Sequence, residues 1–251
     1  MEQIDFASSF LFREFDSWAE DAELTGRLGA CIGLQKKLEP GLLKSLFQPN
    51  ARALEEVSVE KLEEILATKE DVESIGLEAK TRGRIANCIL FGKGVEGAIR
   101  NNDVSRMMRR VDELVARKVR ELFRSDVPVW ADRIGHFWYP PGSYMGWHTN
   151  SNAPGWRMYV THCDEPGKSF FRYRDPRSGE VVTSYDGRWT VRLFKVAADD
   201  LMWHTVYSDT NRYSFGYRIV EKPSLTHRIT NKLGRVGRDV LAGRIPRLRD
   251  I

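Results

Sequence analysis

Tyr139-Pro140-Pro141-Gly142, Gly146-Trp147-His148-Thr149-Asn150, Trp203-His204-Thr205-Val206 and Arg212-Tyr213-Ser214 punctuate the chain between residues 139 and 218. Two histidines stand 56 positions apart, and the first is followed two residues on by an amide side chain. An Arg-x-Ser trails the second. Around these residues the sequence has the texture of strands. Residues 156–161, 169–173, 181–185, 190–196 and 213–220 are short aromatic or β-branched runs. Turn-formers separate them: Ala153-Pro154-Gly155, Glu165-Pro166-Gly167, Asp175-Pro176-Arg177-Ser178-Gly179 and Asp186-Gly187. Strands at this spacing predict a sandwich or barrel.

Before residue 127 apolar residues recur at helical spacing. Ser58 is placed to cap a helix carrying Leu62, Ile65 and Leu66, and Thr68 a second carrying Val72 and Ile75. Asp103 is placed to cap the longest one, in which Val104, Met108, Val111, Val115, Val119 and Leu122 share a face. Its other face carries Arg106, Arg109, Arg110, Arg117 and Arg120 and reads as solvated surface. The expected organisation is α+β: a mostly helical region over residues 1–127, a β-rich core over 128–221 and a basic segment over 222–251.

Composition narrows the class. The chain has 251 residues, 41% hydrophobic and 29% charged, as a soluble globular protein does. No apolar run reaches the roughly 18 residues of a membrane span, and Met1 to Asp5 lack the layout of a secretory signal. Cys31, Cys88 and Cys163 are scattered and odd in number, which fits buried small residues in a reducing cytoplasm. Residues 222–251 hold eight basic and two acidic residues, net +6, against +4 for the whole chain. That segment is a possible nucleic-acid contact, but no aromatic interleaves it for base stacking. A solvated helix or tail is the preferred reading.

The histidines are the chemical core of the pattern. Ferrous iron that must also bind a co-substrate and dioxygen needs few protein ligands, and two histidines with one oxygen donor leave three positions open. Side chains two apart on a strand point the same way, which would bring His148 and Asn150 together, with His204 from a strand opposite. Arg212 lies eight residues after His204, with Ser214 its neighbour on the same face. A guanidinium gripping a carboxylate bidentately, beside a hydroxyl donor, suits the far end of a dicarboxylate. Alone, Arg212 would read as an ordinary strand ion pair; the ensemble reads as a pocket.

Residues 139–219 resemble the double-stranded β-helix (jelly-roll) core of the iron(II)/2-oxoglutarate-dependent dioxygenases, most closely their prolyl-hydroxylase-like branch. The Tyr-Pro-x-Gly turn, the His-x-Asp/Glu position at His148 and Asn150, the distal His204 and the Arg-x-Ser carry the resemblance. It implies Fe(II), 2-oxoglutarate and O2, with His148, Asn150 and His204 at the metal and Arg212 on the C5 carboxylate. It also implies release of succinate and CO2 while a substrate, a small molecule or a peptide, is hydroxylated. Tyr159 or Tyr139 would assist the co-substrate. Trp147, Trp156 and Trp203 flank the site in sequence and either line a substrate pocket or fill the core. Arg157 and Arg218 are further carboxylate partners, with Arg218 on the Arg212 side of a regular strand.

The family pattern has a carboxylate where this chain has Asn150. An amide oxygen ligates iron without a negative charge, so the metal is held less tightly. Four explanations stand: a weaker ligand in an active oxygenase, a vacancy filled by water or an anion, a barrel that has become a binding protein, or an Asp→Asn change. Asp164, Asp200 and Asp209 are the carboxylates that would have to substitute from elsewhere.

Overall fold

Alternation along residues 212–221 determines much of the architecture, because one set of its side chains is polar and the other apolar. Tyr213, Phe215, Tyr217 and Ile219 are buried against helices. Arg212, Ser214 and Gly216 project the other way, between two sheets. The computed structural model describes residues 3–9, 12–37, 47–68, 86–90, 102–151 and 153–222.

In chain order the described strands begin with β1 (Ile4–Asp5), β2 (Phe12–Glu14), β3 (Ala86–Asn87), β4 (Ile89–Leu90) and β5 (Phe123–Arg124). They continue with β6 (Val129–Tyr139), β7 (Ser143–His148), β8 (Gly155–Cys163) and β9 (Ser169–Arg174). The last are β10 (Val181–Tyr185), β11 (Trp189–Val196), β12 (His204–Ser208) and β13 (Arg212–Glu221). The described helices are α1 (Asp16–Ala19), α2 (Ala22–Lys36), α3 (Val59–Thr68) and α4 (Asn102–Leu122).

A six-stranded sheet runs β2-β11-β8-β13-β6-β4, and a five-stranded sheet runs β10-β9-β12-β7-β3. Every pairing within these two sheets is antiparallel; β1 and β5 form a separate parallel pair. The α+β reading therefore stands. Tyr139, Met145, Phe171, Tyr173, Phe194, Val196, Met202 and Val206 form the apolar filling between the sheets.

Each outer face has its own cover. Met108, Val111, Val115, Val119 and Leu122 of α4 pack with Leu24 and Leu28 of α2 on the six-stranded sheet. Fully burying one such valine or leucine contributes about 1.5–3 kcal/mol. Residues 53–68 cover the five-stranded sheet through Ala53, Val57, Leu62 and Ile65. Ser58 accepts the Lys61 backbone N–H at 3.1 Å and caps α3 as its position requires.

Several sequence expectations change. The region before residue 127 is more than helical support, since β2 and β4 extend one sheet and β3 the other. Thr68 ends α3, and its hydroxyl bonds back to the carbonyls of Glu64 and Ile65. The helix expected beyond it, and the basic segment after Lys222, lie outside the described residues. Asp103 falls inside α4, which begins at Asn102. Among the described residues no helix is long and apolar enough to cross a membrane.

Candidate functional site

His148 ends β7 and His204 begins β12, and the two residues sit directly opposite one another in register. Val206 lies two positions from His204, whereas its partner Met145 lies three positions from His148. That extra residue is a bulge, and it turns both Met145 and His148 toward the interior. The two imidazole centroids are 4.1 Å apart. His148 Nδ1 donates to the Gly146 carbonyl at 2.8 Å, and His204 Nδ1 donates to the Met202 carbonyl at 2.9 Å. With Nδ1 protonated on both rings, both Nε2 atoms carry free lone pairs. Burial drives His148 down to about 4 and His204 well below the usual histidine range. Both are neutral at pH 7, the state a metal ligand needs.

Asn150 reaches the same point by a route the sequence did not show. Strand β7 stops at His148, so alternation along a strand cannot aim residue 150. Instead Asn150 adopts φ 56°, the left-handed conformation that asparagine tolerates, and swings its amide back. Asn150 Nδ2 lies 3.1 Å from His204 Nε2 and donates to its lone pair. Rotating the amide would present Oδ1 there instead. The His148 ring lies against that of His204 and the Asn150 amide reaches His204 Nε2, so the three are neighbours whose donors, two imidazoles and an amide oxygen, fit a divalent metal. The donor set carries no charge. Among the described residues no three His, Cys, Asp or Glu side chains gather into a metal site. Asp164 is engaged with Lys36 at 2.6 Å and with Asn211 at 3.2 Å, and Asp200 and Asp209 are exposed.

Arg212 lies deeper between the sheets, 2% exposed. Its Nε donates to Asp186 Oδ2 at 2.9 Å and its Nη2 to Thr161 Oγ1 at 3.4 Å. Its guanidinium carbon sits 4.9 Å from the Tyr139 ring centroid. Nη1 is buried with no partner among the described residues. The free grip of the sequence reading is thus corrected to one open nitrogen, because a protein carboxylate already holds Nε. An unmet buried donor costs about 1–3 kcal/mol, which a ligand oxygen would recover. Ser214 is buried on the same face, opposite Thr161.

Asp186 is the residue that sequence reasoning missed, having taken Asp186-Gly187 as a turn. Its carboxylate is wholly buried and binds Arg192 Nη1, Arg212 Nε and Ser169 Oγ, the last at 2.6 Å. Burial pushes its acidity toward the neutral form, but the Arg192 and Arg212 guanidiniums outweigh it and hold the carboxyl well below the usual range. The signal was available at Arg192, which alternates with Phe194 and Val196 on the apolar inward face of its strand and so demands a buried acid somewhere.

The aromatic candidates divide. Tyr139 and Tyr159 face the interior, where burial raises both phenols above their usual range. Tyr159 stacks on Phe194 at 5.6 Å. The three tryptophans do not line the site. Trp156 belongs to the opposite face of β8, donating to the Phe6 carbonyl at 2.9 Å and packing edge-on to Phe123. Trp147 and Trp203 pack with Leu62 and Ile65 under α3, and Trp147 donates to the Ser58 carbonyl at 2.7 Å. Arg157 and Arg218 sit directly opposite each other on β8 and β13, on the interior face.

No family model matches the chain, and no curated protein does. Solved structures similar to it include two oxygenase-type proteins. One, an oxidoreductase of the 2OG-Fe(II) oxygenase family from Burkholderia pseudomallei, is 11% identical over 56% of this chain and 70% of that one, with a TM-score of 0.33. The other, a Pseudomonas putida prolyl-4-hydroxylase, is 12% identical over 84% of this chain and 93% of that one, with a TM-score of 0.42. Neither TM-score reaches 0.5, so function is read from this chain's own residues.

Proposed function

We propose that the protein is an Fe(II)- and 2-oxoglutarate-dependent oxygenase that hydroxylates a substrate and releases succinate and CO2. One observation carries the reading: two neutral histidines, each fixed through Nδ1 to a backbone carbonyl, stand with ring centroids 4.1 Å apart, and Asn150 Nδ2 lies 3.1 Å from the Nε2 of His204. In this reading the two sheets are the walls of a double-stranded β-helix. His148, His204 and Asn150 would hold the iron, which with 2-oxoglutarate supplies the activation of dioxygen.

The chain's own residues then have distinct tasks. Arg212 Nη1 offers the one open donor for a distal carboxylate, and Asp186 keeps the guanidinium oriented through Nε. Ser214 and Tyr139 stand beside it, and Tyr159, stacked on Phe194, faces the same interior. The carbonyls of Gly146 and Met202 lock the imidazole tautomers. The surrounding Phe171 and Phe194 rings, 5.6 and 5.5 Å from His204, exclude water.

Anaerobic titration with Fe(II) and 2-oxoglutarate tests the reading. The expected result is the weak visible charge-transfer band of the chelate; no band and no metal uptake, even in Asn150→Asp, would overturn it. A second reading has its own support. Asn150 Nδ2 caps the His204 lone pair with no metal needed, which suits a barrel retained for binding. That reading requires the same titration to remain colourless in the wild type and in Asn150→Asp.

A further inference from the structure

Two of the arginines that face the interior have acidic partners: Arg192 binds Asp186 and Glu14, and Arg212 binds Asp186. Arg157 and Arg218 differ from them. Arg157 is 3% exposed, and its guanidinium donates to two carbonyls, Nη1 to Trp156 at 3.3 Å and Nη2 to Ala153. Arg218 stands directly across from it on β13, with a buried Nε that has no partner among the described residues. Neither forms an ion pair with a described acid. Like charges facing across a ladder destabilise a sheet, and a buried guanidinium without a counter-ion is costly. An arrangement with two such terms on one strand pair is explained when a ligand anion completes it.

The location says which ligand. Arg157 is in register with Phe194, whose ring lies 5.5 Å from His204. Its charge reaches His204, where it opposes protonation of the ring. Arg212 is six residues away along β13, toward the other end of the strand. The chain therefore presents two separate cationic groups, one deep and one beside the histidines. We propose that Arg157 and Arg218 form a receptor for a compact oxyanion, a carboxylate or a phosphate, carried by the molecule the protein acts on. The role of that molecule as prime substrate rests on the oxygenase reading; the anion receptor itself does not.

The experiment uses the full chain without metal, at constant ionic strength, titrated calorimetrically with inorganic phosphate and separately with acetate. One of the two anions should bind saturably, and Arg218→Gln should weaken it at least tenfold. Arg218→Lys should recover part of the loss. Because Arg218 is partly exposed, its substitution leaves the core intact, and the circular dichroism spectrum should be unchanged. Tighter phosphate identifies a phosphorylated molecule, and tighter acetate a carboxylated one. The proposal fails if the wild type binds neither anion, or if Arg218→Gln binds as well as the wild type. It also fails if Arg218→Gln lowers 2-oxoglutarate affinity tenfold, because the pair then serves the co-substrate. Anion binding lost in Arg218→Gln, by a chain that takes up neither Fe(II) nor 2-oxoglutarate, would keep the receptor and remove the oxygenase reading.

Discussion

Asn150 decides how tightly a cation is held at the paired histidines, because its amide supplies an oxygen without charge. Asn150→Asp should strengthen Fe(II) binding at least tenfold, measured by anaerobic metal titration, since one formal charge is added beside the cation. Aspartate also tolerates the left-handed backbone there, but without metal it loses the amide donor to His204 Nε2, so the metal-free variant should melt lower by the equivalent of about 1–3 kcal/mol and recover when metal is added. Arg212 gives the complementary prediction. Arg212→Ala should abolish 2-oxoglutarate binding by calorimetry while circular dichroism keeps its β signature. It should also destabilise the protein by about 3–5 kcal/mol in denaturant titration, because Asp186 loses one of two guanidiniums that compensate its buried charge. If 2-oxoglutarate still bound Arg212→Ala normally, the pocket would lie elsewhere.

At the level of elements, spacing revealed more than direction. The runs at 156–161, 169–173, 181–185, 190–196 and 213–220 all lie within observed strands, because turn-formers bound them and their side chains alternate. Strands β6 and β7 were harder to read. A register shift interrupts β6 against β13, and all six residues of β7 are buried, so neither shows clean alternation. Position 150 was found by spacing, but the turn that delivers it was not legible, since a left-handed asparagine has no periodic signature. Asp186 was hidden for a related reason: its partners Ser169, Arg192 and Arg212 come from three different strands, and local sequence cannot join them. Gly216 is the most constrained position in β13. A Cβ there would stand 2.7 Å from the Tyr159 ring, so Gly216→Ala must displace that ring from Phe194. The expected cost is about 1–3 kcal/mol in urea unfolding, the range for overpacking a core.

Considered whole, the molecule buries several neutral histidines, which couples its stability to acid. His136 is the clearest case outside the candidate site: burial, helped by the Arg133 charge, lowers it to about 3, while Gln35 Nε2 lies 2.9 Å from its Nε2. The unfolded chain binds a proton near pH 6.5, whereas the folded chain resists doing so until far lower. The stabilising difference is therefore complete above about pH 6.5 and is lost as the pH falls toward 3. The slope should approach 1.4 kcal/mol per pH unit for this one proton. Replacing both partners, as in Gln35→Leu with His136→Leu, should flatten the stability profile between pH 6 and 4 by about that amount. An unchanged slope in chemical denaturation would place the acid sensitivity elsewhere.

Strand β2 has a consequence for how the chain is made. Residues 12–14 close the edge of the six-stranded sheet against β11, Phe12 stacks 4.3 Å from Tyr173, and Glu14 binds Arg192, 178 positions later. During synthesis this segment leaves the ribosome long before β11 and has no partner in the sheet until 178 further residues have been added. Its docking is a late event with a large loop to close. Until then, or if residues 1–14 are removed, β11 presents an open edge to any neighbouring nascent chain. A three-residue strand far upstream of its partner thus acts as a late safeguard against association between half-made copies.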